Sequence, residues 1–158
     1  MAVFYSFHYE RDVARVMLVR NLGAIEGQPL LNPQEWEQVR RGGKPAIEKW
    51  IDKQMAYKTA VVVLVGAETA NRHFVNYEII KAWTDKRPLV GIRIHGLSSF
   101  GNVDSPGANP FAQIKLPDGG NLGQYIPLHD PVGRDSQQVY SSISDNLKTW
   151  VSGAYKRS

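Results

Sequence analysis

The 158-residue sequence predicts an α/β domain, an open parallel sheet carrying helices on both faces. Three observations carry that expectation. Short apolar runs of strand character alternate along the chain with runs of helical period. One run, Thr59 to Val65 (TAVVVLV), has no polar alternation, which is how a central strand covered on both sides reads. The apolar content of 42% against 22% charged residues is ordinary globular composition for one domain over residues 1–158.

The elements follow in order. Val3 to Phe7 is the first strand. Glu10 to Asn21 reads as a helix with Val13, Val16, Met17 and Leu22 inward and Gly23 past its end. The segment from Ala24 to Trp36 is poorly patterned, and Leu30-Leu31 is its one candidate for a short edge strand. Gly42-Gly43 interrupt the chain before Pro45, a residue that suits the first turn of a helix. That helix runs to about Tyr57, with Ile47, Trp50, Ile51 and Met55 on one face.

After the valine-rich strand, a helix from about Asn71 to Asp85 should bury Val75, Ile79, Ala82 and Trp83. Leu89 to Ile94 is a further strand. His95 to Gln124 is irregular and rich in turn residues, and Tyr125 to Leu128 is a candidate last strand. Ser136 to Tyr155 closes the chain as a helix with Val139, Ile143, Leu147, Trp150, Val151 and Ala154 on one stripe. Right-handed crossovers then bring the ends of the Val3 and Thr59 strands to one edge of the sheet. Ligands in such folds sit beyond the carboxyl ends of the strands, which singles out Phe7 to Asp12, Gly66 to Asn71 and the region after Ile94.

Composition excludes several classes. Nineteen Lys and Arg against fifteen Asp and Glu leave a formal charge of +4, but the positives are scattered, so no nucleic-acid partner is expected. The lack of cysteine removes thiolate metal sites and Cys nucleophiles, and it fits a reducing cytoplasm. No signal peptide is expected, and no apolar run approaches the roughly 20 residues of a membrane helix.

Familiar catalytic motifs are also missing. Gly42-Gly43-Lys44 is followed by Pro45, which is not a P-loop, and no G-x-G-x-x-G follows a strand. Gly119-Gly120 and Gly123 read as turns. The Thr59 strand ends in Val65-Gly66, without the aspartate of a phosphoryl-accepting receiver. His8, His73, His95 and His129 lack metal-ligand spacing, so no metal is expected, and there is no G-x-S-x-G elbow.

Glu78, in HFVNYEII, remains. At 100° per residue it lies roughly 85° from the centre of the Val75–Ile79 stripe, with Phe74 one turn away on the same side. One reading makes it a solvated flank residue paired with Lys81, worth about 0.2 to 0.5 kcal/mol. The other aims it into the crevice by the first strand, where Phe74 stacks on a planar ring. There the carboxylate binds ribose hydroxyls and stabilises positive charge at an anomeric carbon.

The stretches VFYSFHYERD, Arg20-Asn21, VVVLVG, TANRHFVNYEI and Asn109 to Phe111 resemble the TIR-like proteins of bacterial Thoeris anti-phage defence, the ThsB family. The resemblance covers Val3 to Phe111. It implies a flavodoxin-like TIR fold that takes NAD as substrate, with no separate cofactor, and makes a cyclic ADP-ribose isomer or related conjugate. That product would activate a partner effector, with a phage component as trigger and self-association as a further partner mode. The family's catalytic glutamate falls on Glu78, and its aromatic, usually tryptophan, on Phe74. The loop after the first strand makes Phe7, His8 and Tyr9 the nucleotide-binding candidates. Ser6 and Asp12 read equally as turn and helix-cap residues. Relative to the family, Gly27 to Asn32 and the region after Asn109 are short. The rival expectation is a non-catalytic TIR-like adaptor that signals by association.

Overall fold

A computed structural model describes residues 2–158. Five parallel strands lie in the order β2-β1-β3-β4-β5: β1 is Ala2–Ser6, β2 Glu26–Gly27, β3 Ala60–Val65, β4 Leu89–Arg93 and β5 Leu128–His129. The expected open parallel sheet, flavodoxin-like and TIR-like in form, is present. Every residue of β3 is buried, and burying each such valine contributes about 1.5–3 kcal/mol.

The pleat of the strands divides the core into two layers. Val3, Tyr5, Val62, Leu64, Val90 and Ile92 face α1 (Tyr9–Arg20) and α5 (Ser136–Ser152). Phe4, Val61, Val63 and Val65 face α3 (Gly43–Met55) and α4 (His73–Thr84). Of the expected inward residues of α3 and α5, Ile47, Ile51, Met55, Val139, Ile143, Leu147 and Val151 are buried, whereas Trp50, Trp150 and Ala154 are half-buried and Ala154 lies past the end of α5. In α4 Val75, Ile79 and Ala82 are buried as expected, and Trp83 is half-buried at the helix's far end.

Four expectations are corrected. The buried face of α1 is Asp12, Arg15, Val16 and Val19, whereas Met17 is 49% exposed and Val13 only half-buried. Asp12 is not a helix cap: it is buried against Arg15 Nη1 at 3.0 Å, and that guanidinium also binds the carbonyls of Leu97 and Asn102. Leu30-Leu31 is no strand, because the edge pairing falls on Glu26–Gly27 instead. Tyr125 to Leu128 is mostly a turn following a 3-10 segment, Leu122–Gln124, and pairing begins only at Leu128, after Pro127. Pro127 lacks the N–H a ladder needs.

An unforeseen helix, α2 (Pro33–Arg41), lies between β2 and α3. Asn32 Oδ1 accepts the Glu35 N–H at 2.8 Å and Glu35 Oε1 accepts the Asn32 N–H at 3.0 Å, a reciprocal cap, with Pro33 in the first turn. Gly43, at φ +77°, turns the chain into α3. No residue of α2 is fully buried, so the cap carries much of its stability. Asn32→Ala should cost about 1 kcal/mol. The loss should appear as faster amide exchange confined to α2, with the global melting temperature nearly unchanged.

Gln28 extends the sheet edge by other means. Its Oε1 accepts the Tyr5 N–H and its Nε2 donates to the Tyr5 carbonyl, both at 2.8 Å, so a side-chain amide stands where a strand backbone would pair. This holds residues 29–31 beside the end of β1.

Candidate active site

A cavity of about 280 Å³ opens beyond the carboxyl end of β1, between α1, α2, α3 and the start of α4. It is near the lower end of ordinary ligand cavities, about 300–1,000 Å³. Glu78, Phe7, His8, Tyr9 and Phe74 all line it, so the five residues singled out from sequence converge on one hollow.

Glu78 is buried, at 7% exposure. α4 places it there because Val75 and Ile79 anchor the helix on the sheet and turn the intervening flank toward β1. Ser6, the last residue of β1, donates its hydroxyl to Glu78 Oε1 at 2.6 Å. Lys81 does not pair with Glu78. Its ammonium lies 3.1 Å from Asp85 and 3.9 Å from Asp52. The solvated-flank alternative therefore fails on geometry. Burial pushes the Glu78 carboxyl up to about 8, and the Ser6 hydroxyl offsets only part of that by stabilising the anion.

The wall opposite is aromatic. Tyr9 stacks on Trp36 with ring centroids 4.9 Å apart, and Phe7 lies 6.1 Å from Tyr9. The Tyr9 hydroxyl donates to the Leu31 carbonyl, which ties the strand-one loop to the segment Gln28 fixes. Phe74 is half-buried and meets His73 edge-on at 4.9 Å. Phe7 also packs against the α1–α5 layer, so it serves the core and the cavity together.

His8 precedes α1 and caps it only through its backbone. Its ring is 10% exposed, with Nδ1 3.4 Å from Glu10 Oε2. Burial first, then the Arg72 guanidinium, hold the imidazole below its ordinary value, so it is neutral near pH 7. Two cations, Arg40 and Arg72, are exposed lining residues and so stand at the mouth. Arg72 pairs with Glu68 at 2.8 Å, and Arg40 stands 3.6 Å from Glu10.

Sequence reasoning did not find Ser6 as the partner of Glu78, nor Gln28, Trp36, Trp50 and Arg40 as lining residues. The N-P-x-E capping pattern of Asn32 to Glu35 was the available signal for α2, and through it for Trp36 and Arg40. Asn109 to Phe111, part of the resemblance, has a structural place: Asn109 Oδ1 accepts the Phe111 N–H at 2.9 Å and Phe111 is fully buried in the layer under α3 and α4. Among the described residues no helix is long and apolar enough to cross a membrane.

The arrangement sets one desolvated carboxyl, an aromatic wall and two guanidiniums around a hollow the size of a small heterocycle with its sugar. A family model for the TIR-like domain of the Thoeris protein ThsB matches residues 4–99. A Bacillus cereus (strain MSX-D12) protein, provisionally named cyclic ADP-D-ribose synthase ThsB1, is 31% identical over 115 residues. That alignment spans 69% of this chain and 60% of the relative's length.

Proposed function

The chain belongs to the TIR-like ThsB family of Thoeris, and from that premise we propose that it cleaves the nicotinamide–ribose bond of NAD and transfers the ADP-ribosyl group. Glu78 is the catalytic carboxylate. The observation that carries the reading is its burial in the cavity, with no cation paired to it among the described residues and only the Ser6 hydroxyl at 2.6 Å.

Cleavage passes through a ribosyl cation, and a fixed negative charge stabilises that cation most where water is scarce. Nicotinamide leaves neutral, so no strong general acid is needed. An empty cavity favours protonated Glu78 at neutral pH, with its carboxyl near 8. The pyridinium of NAD brings a positive charge, which draws the carboxyl back to its ionised form. The same charge discriminates against the reduced, neutral dihydropyridine. Phe74 and the Tyr9–Trp36 stack offer faces for the planar ring, and Arg40 and Arg72 can exchange their carboxylate partners for the diphosphate.

The transferred group closes into a cyclic ADP-ribose isomer or joins a conjugate, the signal for a separate effector. The relative's name supports this product class. Incubating purified chain with NAD, with and without phage lysate as trigger, and weighing products by mass spectrometry tests the reading. ADP-ribosyl products and free nicotinamide are expected, and their absence under both conditions would favour a non-catalytic adaptor. Phe74→Ala should raise KM by roughly 5- to 150-fold, the value of one lost stacking face at about 1–3 kcal/mol, with a smaller change in kcat.

A further inference from the structure

His8 has no task in cleavage as set out above, yet its surroundings are built. Among the described residues no hydrogen-bond partner takes Nε2, while Nδ1 lies 3.4 Å from Glu10 Oε2. Glu10 is itself held from the far side. Its Oε1 accepts the Trp36 indole N–H at 3.3 Å and stands 3.6 Å from Arg40 Nη1. One carboxylate oxygen is thus committed to α2 and the other is left for the imidazole. The ring shares the cavity with Glu78.

We propose that His8 is a second catalytic residue, the base that takes the proton of the hydroxyl group capturing the ribosyl cation, with Glu10 as its positioning residue. This rests on the reading of Glu78 given above. The chemistry requires a second group. When nicotinamide departs with the bonding electron pair, Glu78 must remain an anion while C1′ is cationic. If it took the acceptor's proton at that moment, the field that stabilises the cation would vanish.

The step balances with His8 as acceptor. An oxygen lone pair of a ribose hydroxyl or of water forms the new C1′–O bond, and the O–H proton passes to Nε2. The imidazolium formed is stabilised at Nδ1–H by Glu10, then loses its proton to solvent. The charged groups around the ring fit a base of this kind. Arg72 at the start of α4 disfavours the imidazolium, whereas Glu10 and Asp12 of α1 and Glu68 of the β3–α4 turn favour it. His73 and Glu78 share the cavity, and Arg40 stands behind Glu10.

Exchange of labelled nicotinamide into NAD separates the two steps, because cleavage and its reversal need Glu78 and not His8. Wild type, His8→Gln, Glu10→Gln and Glu78→Gln are each given NAD and labelled nicotinamide, and label in NAD and ADP-ribosyl products are followed in parallel. His8→Gln should retain exchange while product formation falls by roughly 10²-fold or more. At acid pH the wild-type log kcat/KM should fall with a slope of about 2, one proton each for Glu78 and His8, and His8→Gln should reduce it to about 1. Glu10→Gln, removing a negative charge, should move the imidazole limb to lower pH. Exchange and product formation falling together in His8→Gln, or neither falling, would overturn the role of His8 and leave Glu78 in place. Loss of neither activity in Glu78→Gln would remove the premise for both.

Discussion

Glu78→Gln should abolish the proposed turnover and make the protein more stable in alkali. The amide fills the same space, and its oxygen can still accept the Ser6 hydroxyl now 2.6 Å from Glu78 Oε1. What disappears is the charge. On the proposed mechanism the rate should drop by at least about 10²-fold, the usual cost of removing one preorganised electrostatic group.

The stability effect has a definite sign. The carboxyl rises from 4.5 in the unfolded chain to about 8 in the fold because of burial. Below 4.5 both states hold the proton. Between 4.5 and about 8 the unfolded chain releases it while the native state retains it, so native stability declines across that window. Well above 8 the full cost of a buried anion is present, on the order of 5 kcal/mol for a shift of this size. The neutral amide of the variant carries no such cost. Urea midpoints should coincide near pH 4.5 and separate in favour of the variant by about pH 9. Equal midpoints at both pH values would contradict a desolvated carboxyl.

Arg15→Ala has the largest expected structural cost. Arg15 is buried and holds four groups: Asp12 Oδ1 at 3.0 Å, Asp104 Oδ2 at 3.2 Å, the Leu97 carbonyl at 2.8 Å and the Asn102 carbonyl at 3.0 Å. Asp12 is fully buried, and its Oδ2 has no hydrogen-bond partner among the described residues. Removing the guanidinium leaves a carboxylate in the core with its cation gone, which costs about 3–5 kcal/mol. For a chain of this size that is a fall in melting temperature of about 10 °C.

The pH dependence gives a check. Burial already raises the Asp12 carboxyl above its ordinary value and Arg15 holds it down. Without Arg15 it rises further, so the destabilisation should be larger at about pH 7 than at about pH 4. Replacing the pair together by Asp12→Leu and Arg15→Met should recover part of the loss. A single Arg15→Ala substitution costing less than about 1 kcal/mol would mean that the pair is solvated. Gly66 shows how tightly the carboxyl is enclosed, since a Cβ there would stand 2.2 Å from Asp12 Oδ2.

This cluster also shows where sequence reading stops. Apolar periodicity identified α3, α4 and α5, because in each a regular stripe faces the sheet, and an unbroken apolar run identified β3, which is buried on both faces. In α1 the same rule chose Val13 and Met17, since a count of apolar residues cannot register two opposite charges that enter the core together. α2 escaped for the opposite reason. It buries nothing fully and offers the core only Trp36 and Val39, too short a stripe to register, so its capping residues are the clearer signal. Pairing at β5 covers two residues, too few for any pattern.

The site was legible in part. The position of Glu78 on the flank of the α4 stripe and its company with Phe74 and the strand-one loop followed from spacing and resemblance. Its burial did not. That depends on Ser6, seventy-two positions earlier in the chain, and on β1 lying beside β3, which are tertiary facts. The placing of Leu30 and Leu31 in the cavity wall follows the side-chain pairing of Gln28 with Tyr5, which no local pattern signals.

That borrowed amide matters outside the cavity too. A bare border strand is a template on which another chain can add itself, as in amyloid growth and strand exchange. β2 covers β1 only as far as Val3, and the Gln28 side chain closes the next backbone pair at Tyr5. One glutamine therefore acts as a stopper on the part of β1 that β2 leaves bare, where two unmet backbone groups would otherwise offer a second copy a place to pair.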